Sequence, residues 1–189
     1  FTQSAGTGTT QFDGAVAINS AAAVDFAVTT DIINVNKAIT TANAGTVTFT
    51  NTGVLTIAAD GDITADGAVT QNGAGAVSTA GDIDTTNDNV SFATAVTLTG
   101  AVDIDTNTGV GTITFGSTLD GTTDFAQDLT LRAGDGSIDF DGAVGATKDL
   151  GDIAITSAAS VTADAALNAD SFTQSAGTGT TQFDGAVAI

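Results

Sequence analysis

Seven residue types are missing from this 189-residue sequence: His, Cys, Pro, Met, Trp, Tyr and Glu. Without Cys the chain has no disulfide framework, no thiolate nucleophile and no cysteine-ligated zinc site. Without His it lacks an imidazole base, which excludes the serine triad and most designs of metal hydrolase. Because Glu is absent, all 22 acidic residues are Asp. The missing residue types exclude most catalytic chemistries.

Positive charge is almost absent too. Lys37, Arg132 and Lys148 are the only basic residues, and the formal net charge is −19. So few cations exclude an electrostatic footprint for nucleic acid or anionic lipid. No run of about 18 apolar residues occurs, so no membrane insertion is expected in this segment.

What the sequence does contain predicts a folded β-protein. Apolar residues make up 42% and the mean hydropathy is +0.26, whereas acidic disordered chains are poor in apolar residues. Runs such as Val96–Leu98 and Val102–Asp105 alternate apolar and polar residues, which is typical of short strands. Helical signals are weak: residues 21–23 and 158–166 are Ala-rich, but no large apolar residues recur at helical spacing.

A long repeat sets the domain organisation. Residues 1–18 and 172–189 both read FTQSAGTGTTQFDGAVAI, so the sequence begins again at Phe172. We interpret residues 1–171 as one complete tandem unit and residues 172–189 as the start of the next. Both termini are then expected to be cuts through a longer polymer, with any signal peptide or anchor elsewhere. The alternative is one duplicated segment within a single domain.

A shorter period lies within the unit. Gly111–Phe115 aligns with Gly136–Phe140, and Phe92 precedes Phe115 by a similar interval. Asp-Gly-Ala-Val recurs at 13–16, 66–69, 141–144 and 184–187. Short strands with a period of about 19–26 residues predict an all-β fold, a parallel β-helix or solenoid.

The predicted solenoid has a narrow core in which like residues stack between coils. We expect an inward ladder of Phe49, Phe92, Phe115 and Phe140, spaced by about 4.8 Å per coil. The absence of Pro fits, since each coil donates its N–H groups to a neighbour. A pair of immunoglobulin-like sandwiches is the alternative, disfavoured by the missing Trp and Tyr.

Four stretches carry a resemblance to a known class of proteins: TVTFTNTGVLTIAADGD, GTITFGSTLDG, GSIDFDGAVGATKDLGDIAITSAASVTADAA and SFTQSAGTGTTQFDGAV. They resemble the repeat units of giant bacterial surface proteins, the β-strand-repeat, filamentous-haemagglutinin-like adhesins. The resemblance covers essentially the whole chain. It implies a right-handed β-helical stalk that is secreted and extracellular, on the cell surface or in a fibre. It brings no catalytic residues.

Paired Asp residues are the candidate functional groups. Three pairs are spaced i, i+2 and so share one face of a strand: Asp82 and Asp84, Asp103 and Asp105, Asp139 and Asp141. Carboxylates stacked between coils repel each other, and Ca²⁺, which prefers oxygen ligands, would relieve the repulsion. Solvated turn residues are the alternative, because the calcium β-roll nonapeptide and the EF-hand loop are both absent. Paired carboxylates also serve glycosidases, but no pair is distinguished here, and we expect no enzyme activity.

The sequence therefore predicts a structural repeat segment, the stalk or fibre of a giant secreted cell-surface adhesin or extracellular filament. Its partners are expected to be copies of itself, as adjacent repeat units or in end-to-end or lateral fibre assembly. One alternative is an acidic repeat module that binds calcium or a partner. Another is the subunit of a self-assembling sheath or fibre. No cofactor is required on any of these hypotheses, with Ca²⁺ the one candidate.

Overall fold

The structure, a computed structural model, describes residues 1–19 and 25–189, and the fold over these residues is all-β. No helix occurs among them, and 24 short strands follow one another along the chain. The Ala-rich residues 21–23 lie outside the described residues. The Ala-rich segment 158–166 is not helical but contains the strand Ser160–Ala163.

The strands form three sheets, in which every pairing is parallel. Sheet A holds β1 (Thr2–Gln3), β4 (Phe26–Thr30), β7 (Val47–Asn51), β10 (Val69–Gln71), β13 (Val90–Phe92), β16 (Ile113–Phe115), β19 (Ser137–Phe140), β21 (Ser160–Ala163) and β23 (Thr181–Phe183). Sheet B holds β2 (Thr9–Phe12), β5 (Ile32–Val35), β8 (Leu55–Ile57), β11 (Val77–Thr79), β14 (Val96–Leu98) and β17 (Leu119–Asp120). Sheet C holds β3 (Val16–Ile18), β6 (Ile39–Thr41), β9 (Ile63–Ala65), β12 (Ile83–Thr85), β15 (Val102–Asp105), β18 (Leu129–Arg132), β20 (Leu150–Ser157), β22 (Leu167–Gln174) and β24 (Val187–Ala188).

The chain winds through these sheets in the order A, B, C and then returns to sheet A one layer further on. In sheet A, Val69 pairs with Val90, so one coil runs from the first of these residues to the second. Another, slightly longer coil runs from Ile113 to its partner Ile138. The structure is a β-solenoid of about eight turns, which confirms the predicted fold class and period. The right-handed sense of the coil stays a prediction.

Sheet B continues beyond its last full strand through single bridges. Leu119 pairs with Val144, and Val144 pairs with Leu167, the first residue of β22. The long strand β22 therefore turns a corner: Leu167 stands in line with sheet B, whereas Phe172 pairs with Ile153 of sheet C. β24 lies over the sheet B end of β22, because Val187 pairs with Leu167.

The core is a set of inward-facing columns, because alternate strand residues point inside. Ile63, Ile83 and Ile104 share one column of sheet C, and all three are buried. Burying an aliphatic side chain of this size stabilises a fold by about 1.5–3 kcal/mol. Repeated in each coil, these columns make every layer depend on its neighbours.

The predicted phenylalanine ladder is present in part. In sheet A the rings of Phe92 and Phe115 stack at 5.6 Å, and those of Phe115 and Phe140 at 5.4 Å. Phe49 does not join them, because Gln71 occupies the same column between Phe49 and Phe92. Phe49 instead meets Phe26 edge to face, with ring centroids 6.0 Å apart. The ladder we expected from four rings is thus a stack of three.

Gln71 is buried at this inward position because its own turn and the two neighbouring coils satisfy its amide. Its Nε2 donates to Asn51 Oδ1 at 2.8 Å and to the carbonyl of Gly73 at 3.1 Å, while its Oε1 accepts from the Ala93 N–H. Asn51, also buried, donates to the carbonyl of Gly53 at 2.7 Å. Every buried side-chain polar atom among the described residues has a partner, as stable interiors require.

The two identical segments lie at opposite ends of the solenoid and on different sheets. In the first copy Thr2 is in sheet A, Thr9–Phe12 in sheet B and Val16–Ile18 in sheet C. In the second copy Thr173 pairs with Ala154 of sheet C, and Thr181–Phe183 forms the last strand of sheet A. The expected boundary between residues 171 and 172 falls inside β22, so the backbone ladder runs through it without a break.

Candidate functional site

Acidic residues gather on the outer face of sheet C, in the middle of the solenoid. Asp62, Asp82 and Asp103 follow one another in register on three coils, beside the buried isoleucine column. Two positions further along the strands, Asp84 pairs with Asp105. We call these two outward rows the acidic columns. They form because the chain makes one complete coil between Asp82 and Asp103.

The acidic columns are joined to the backbone of the next coil. Asp62 Oδ1 accepts a hydrogen bond from the N–H of Asp82 at 3.0 Å, and Asp82 Oδ1 accepts one from the N–H of Asp103 at 2.8 Å. A carboxylate that accepts from a backbone N–H makes a charge-assisted bond, which is stronger than a neutral one. Each of these side chains therefore fastens its coil to the coil above.

The same inter-coil bond recurs outside the acidic columns. Asp25 Oδ1 accepts from the N–H of Thr46 at 3.0 Å, and Asp128 Oδ1 accepts from the N–H of Asp152 at 2.9 Å. Asn89 takes the same role toward Thr112 at 2.9 Å. A short side chain with an oxygen acceptor spans adjacent coils, which gives the high Asp content a structural reason that the sequence alone did not reveal.

Crowding sets the electrostatics of the acidic columns. Partial burial, followed by repulsion from Asp105, Asp82 and Asp62, raises the pKa of Asp84 above its ordinary value. Partial burial and then repulsion from Asp82 likewise raise the pKa of Asp103. Arg132 opposes the crowding, because its Nη1 lies 3.0 Å from Asp105 Oδ2.

Carboxylates elsewhere have the opposite shift. Hydrogen bonds from the backbone and side chain of Thr46 lower the pKa of Asp25. A bond from Lys37 lowers the pKa of Asp60, and a bond from Lys148 lowers that of Asp124. These two lysines, like Arg132, reach an Asp on a neighbouring coil. In the described part of the chain, the two carboxylates whose pKa is raised, Asp84 and Asp103, thus both lie in the acidic columns.

The six predicted calcium candidates do not form one site. Asp82, Asp84, Asp103 and Asp105 come together in the acidic columns. Asp139 lies in β19 of sheet A, between Thr114 and Thr162 on the adjacent coils, and its carboxylate accepts from the Ser137 hydroxyl at 2.9 Å. Asp141 follows that strand. Over residues 1–19 and 25–189, no three carboxylates converge as a metal site would require.

Two members of this surface were not among the six calcium candidates. Asp62 extends the first of the acidic columns, and Arg132 closes the second. Both become visible only through register, since Asp62 lies one coil before Asp82, and Arg132 lies one coil after Asp105. Chemically, the acidic columns offer outward carboxylate oxygens that attract cations.

Comparisons with known proteins gave no match. The described part of the chain holds no helix that is long and apolar enough to cross a membrane. The sequence matches no family model, no curated protein and no solved structure.

Proposed function

We propose that this chain is a structural repeat segment, part of the stalk or fibre of a giant secreted cell-surface adhesin or extracellular filament. Its work is mechanical and involves no catalysis: it supplies length, stiffness and a repetitive surface. Its partners are copies of itself, joined as adjacent units along one chain.

One observation carries this proposal: the solenoid continues through the start of the second unit. Residues of the repeated segment pair in register with the coil before them, as Thr173 does with Ala154 and Gln182 with Thr162. A ladder that accepts the next unit without a cap can be extended by repetition. A rod built this way has no hinge between units, because each coil is bonded to the next along three sides.

Electron microscopy of the native full-length polypeptide tests this function. A stalk predicts unbranched rods of uniform width, whose length grows by about 37 Å for each repeat unit at the usual strand spacing. Globular particles joined by flexible linkers would contradict it. Rods longer than one chain can span would show instead that coils stack between chains, as in a self-assembling sheath.

Calcium binding is a second candidate function, favoured by the crowding of Asp84 and Asp103. Their raised pKa values mean that ionising both costs free energy in the folded state. A divalent cation near the acidic columns would offset that cost with oxygen ligands. The same surface would also suit a basic partner.

Thermal unfolding in calcium and then in chelator separates the calcium module from the plain stalk. A calcium module predicts a higher midpoint in millimolar calcium, and the increase disappears in the double variant Asp84→Asn/Asp103→Asn. Asp139→Asn is the matched control, because Asp139 faces Thr114 and Thr162 rather than other carboxylates. Equal midpoints in calcium and chelator would remove this candidate and leave the stalk.

A further inference from the structure

The positions of the two copies of the repeated segment show how many coils one repeat unit spans, which we call the phase of the unit. Thr2 lies in the first strand of sheet A, and its equivalent Thr173 lies in β22, the eighth strand of sheet C. Between them the chain passes through seven full coils and two of the three sides of another. The unit of residues 1–171 is therefore seven and two-thirds coils long, and not a whole number.

The second copy is able to start on a different sheet because the same sequence forms each of the three corners of the solenoid. Asp-Gly-Ala-Val enters sheet C at residues 13–16 and sheet A at residues 66–69. At residues 141–144 and 184–187 it enters the line of sheet B, where Val144 and Val187 both pair with Leu167. One short sequence thus forms all three corners, so the repeated segment that contains it is not restricted to one sheet.

We propose that consecutive units of the array are rotated by one sheet, a third of a turn about the solenoid axis. The inference rests on the tandem array of the proposed function. The unit that begins at residue 172 places on sheet C what the first unit places on sheet A, and later units continue the rotation. Three units together make a whole number of coils and return the sequence to its starting face.

The rotation defines the surface that the array offers to its surroundings. The acidic columns lie on sheet C in the first unit, and the shift carries their equivalents to sheet B in the next and to sheet A in the third. Along the rod the same carboxylate surface then faces three directions, at intervals of about 37 Å, with a full period of about 110 Å. Cations are able to bridge such a surface to further copies of the rod on every side, as lateral bundling of like-charged rods requires.

Disulfide trapping in the 189-residue chain tests the phase directly, because the sequence has no cysteine of its own. The proposal predicts that Ala154→Cys/Thr173→Cys cross-links under mild oxidation, since these outward residues are registered neighbours in sheet C. Thr162→Cys/Gln182→Cys is predicted to cross-link in sheet A. Adjacent strands lie about 4.8 Å apart, which is within the Cα separation that a disulfide bridges.

The discriminating variants are double Cys variants along the outward column of sheet A, which leads from Thr2 to Thr162 through seven registered pairs: 2/27, 27/48, 48/70, 70/91, 91/114, 114/139 and 139/162. These pairs mark seven coils, and Thr173 follows Thr162 by only 11 residues, which is less than one coil, so Thr173 does not lie in sheet A when all seven pairs cross-link. A unit of whole coils would require a different register in at least one of them, and that pair would then fail to cross-link. Thr56→Cys/Ser78→Cys, a registered pair in sheet B, is the control for reactivity, and circular dichroism checks that each variant is folded.

The outcomes separate this inference from the proposed function. If any of the sheet A pairs fails to cross-link when the control pair has reacted, the rotation is overturned, whatever the role of the protein. So it is if the Ala154/Thr173 pair fails to cross-link under the same condition. If the predicted pairs cross-link but the native polypeptide forms no rods in the microscope, the phase of the segment stands and the stalk function fails.

Discussion

The two copies of FTQSAGTGTTQFDGAVAI fold alike although they occupy different sheets. In each copy the Thr hydroxyl donates to the Gln amide oxygen, at 3.0 Å for Thr10 and Gln3 and at 2.6 Å for Thr181 and Gln174. The two Phe rings meet edge to face in both, at 5.6 Å for Phe1 and Phe12 and at 5.2 Å for Phe172 and Phe183. Local structure in this segment therefore comes from its own sequence.

What differs between the copies is the neighbouring coil. The first copy lies against the coil that follows it, with Val16 paired to Ile39. The second lies against the coil that precedes it, with Val187 paired to Leu167. Together the two copies show how one segment packs against a following coil and against a preceding coil. In this segment the turn sequence sets the local shape, whereas the adjacent coil determines how well each position tolerates a substitution.

Loss of a ring from the phenylalanine column should give the largest contrast between an inner coil and the second copy. Phe115 and Phe183 occupy the same inward column of sheet A, but Phe115 has a stacked ring on both sides, whereas Phe183 is partly buried at the end. Phe115→Ala is expected to lower the free energy of unfolding by about 3–5 kcal/mol. Phe183→Ala should cost less than half as much. Equilibrium urea unfolding measures both, and equal losses would contradict a core that is built coil upon coil.

Glycine substitutions should give a smaller contrast between the copies themselves. A Cβ added at Gly185 would lie 2.2 Å from the Ala165 backbone of the preceding coil, whereas a Cβ added at the equivalent Gly14 would have no atom of the described residues within 4 Å. Gly185→Ala is expected to destabilise by about 1–3 kcal/mol through overpacking. Gly14→Ala should have little effect or stabilise slightly, by restricting the unfolded chain.

Gly142 extends the same series to an inner coil. Its added Cβ would lie 2.4 Å from the Ser117 backbone, so Gly142→Ala should be at least as damaging as Gly185→Ala. Hydrogen exchange of the last coil reports the Gly185 effect even where that coil opens before the rest. If Gly14→Ala and Gly185→Ala behaved alike, the assigned neighbours of the two copies would be wrong.

The smallest expected effect is electrostatic and lies between the copies, in the acidic columns. The folded-state pKa of Asp84 is raised, so its ionisation opposes folding, and this penalty is relieved as the pH falls through that pKa. Asp84→Asn should therefore stabilise the protein at pH 7, by at most about 1 kcal/mol because the group remains partly solvated. The gain should vanish in acid.

Asp25→Asn should act with the opposite sign. Its folded-state pKa is lowered, so the ionised group contributes stability above the ordinary Asp pKa, and that stability is lost as the pH falls through the lowered value. Urea unfolding of both variants from pH 3 to pH 7 checks the two signs. A loss of stability at pH 7 in Asp84→Asn would contradict the crowding in the acidic columns.

The fold could be predicted from the sequence because the length of one coil is visible as the interval between two similar segments. The alternation of apolar and polar residues along strands and the recurrence of Gly111–Phe115 at Gly136–Phe140 together indicate a solenoid. Gln71 could not be foreseen in the phenylalanine column, because what makes a buried amide tolerable there is Asn51 on the preceding coil, the carbonyl of Gly73 and the N–H of Ala93 on the following coil. Those partners become visible only in three dimensions.

The candidate site was predictable only in part, for a related reason. Asp84 and Asp105 meet because the chain between them makes one complete coil. Between Asp105 and Asp139 it makes more than one coil but fewer than two, and so Asp139 lies on another sheet. Strand alternation shows that a residue faces outward, but it does not tell which of the three sheets carries it.

The distance between the two copies is the sharpest test of a solenoid that continues from the first copy to the second. Spin labels at Gln11→Cys and Gln182→Cys occupy equivalent positions at the two ends of the solenoid, in β2 and β23. Pulsed dipolar spectroscopy should give one narrow distribution, whose axial component is about 37 Å at the usual strand spacing. A broad distribution, or a main distance below about 25 Å, would contradict a continuous solenoid that carries the repeated segment at both ends.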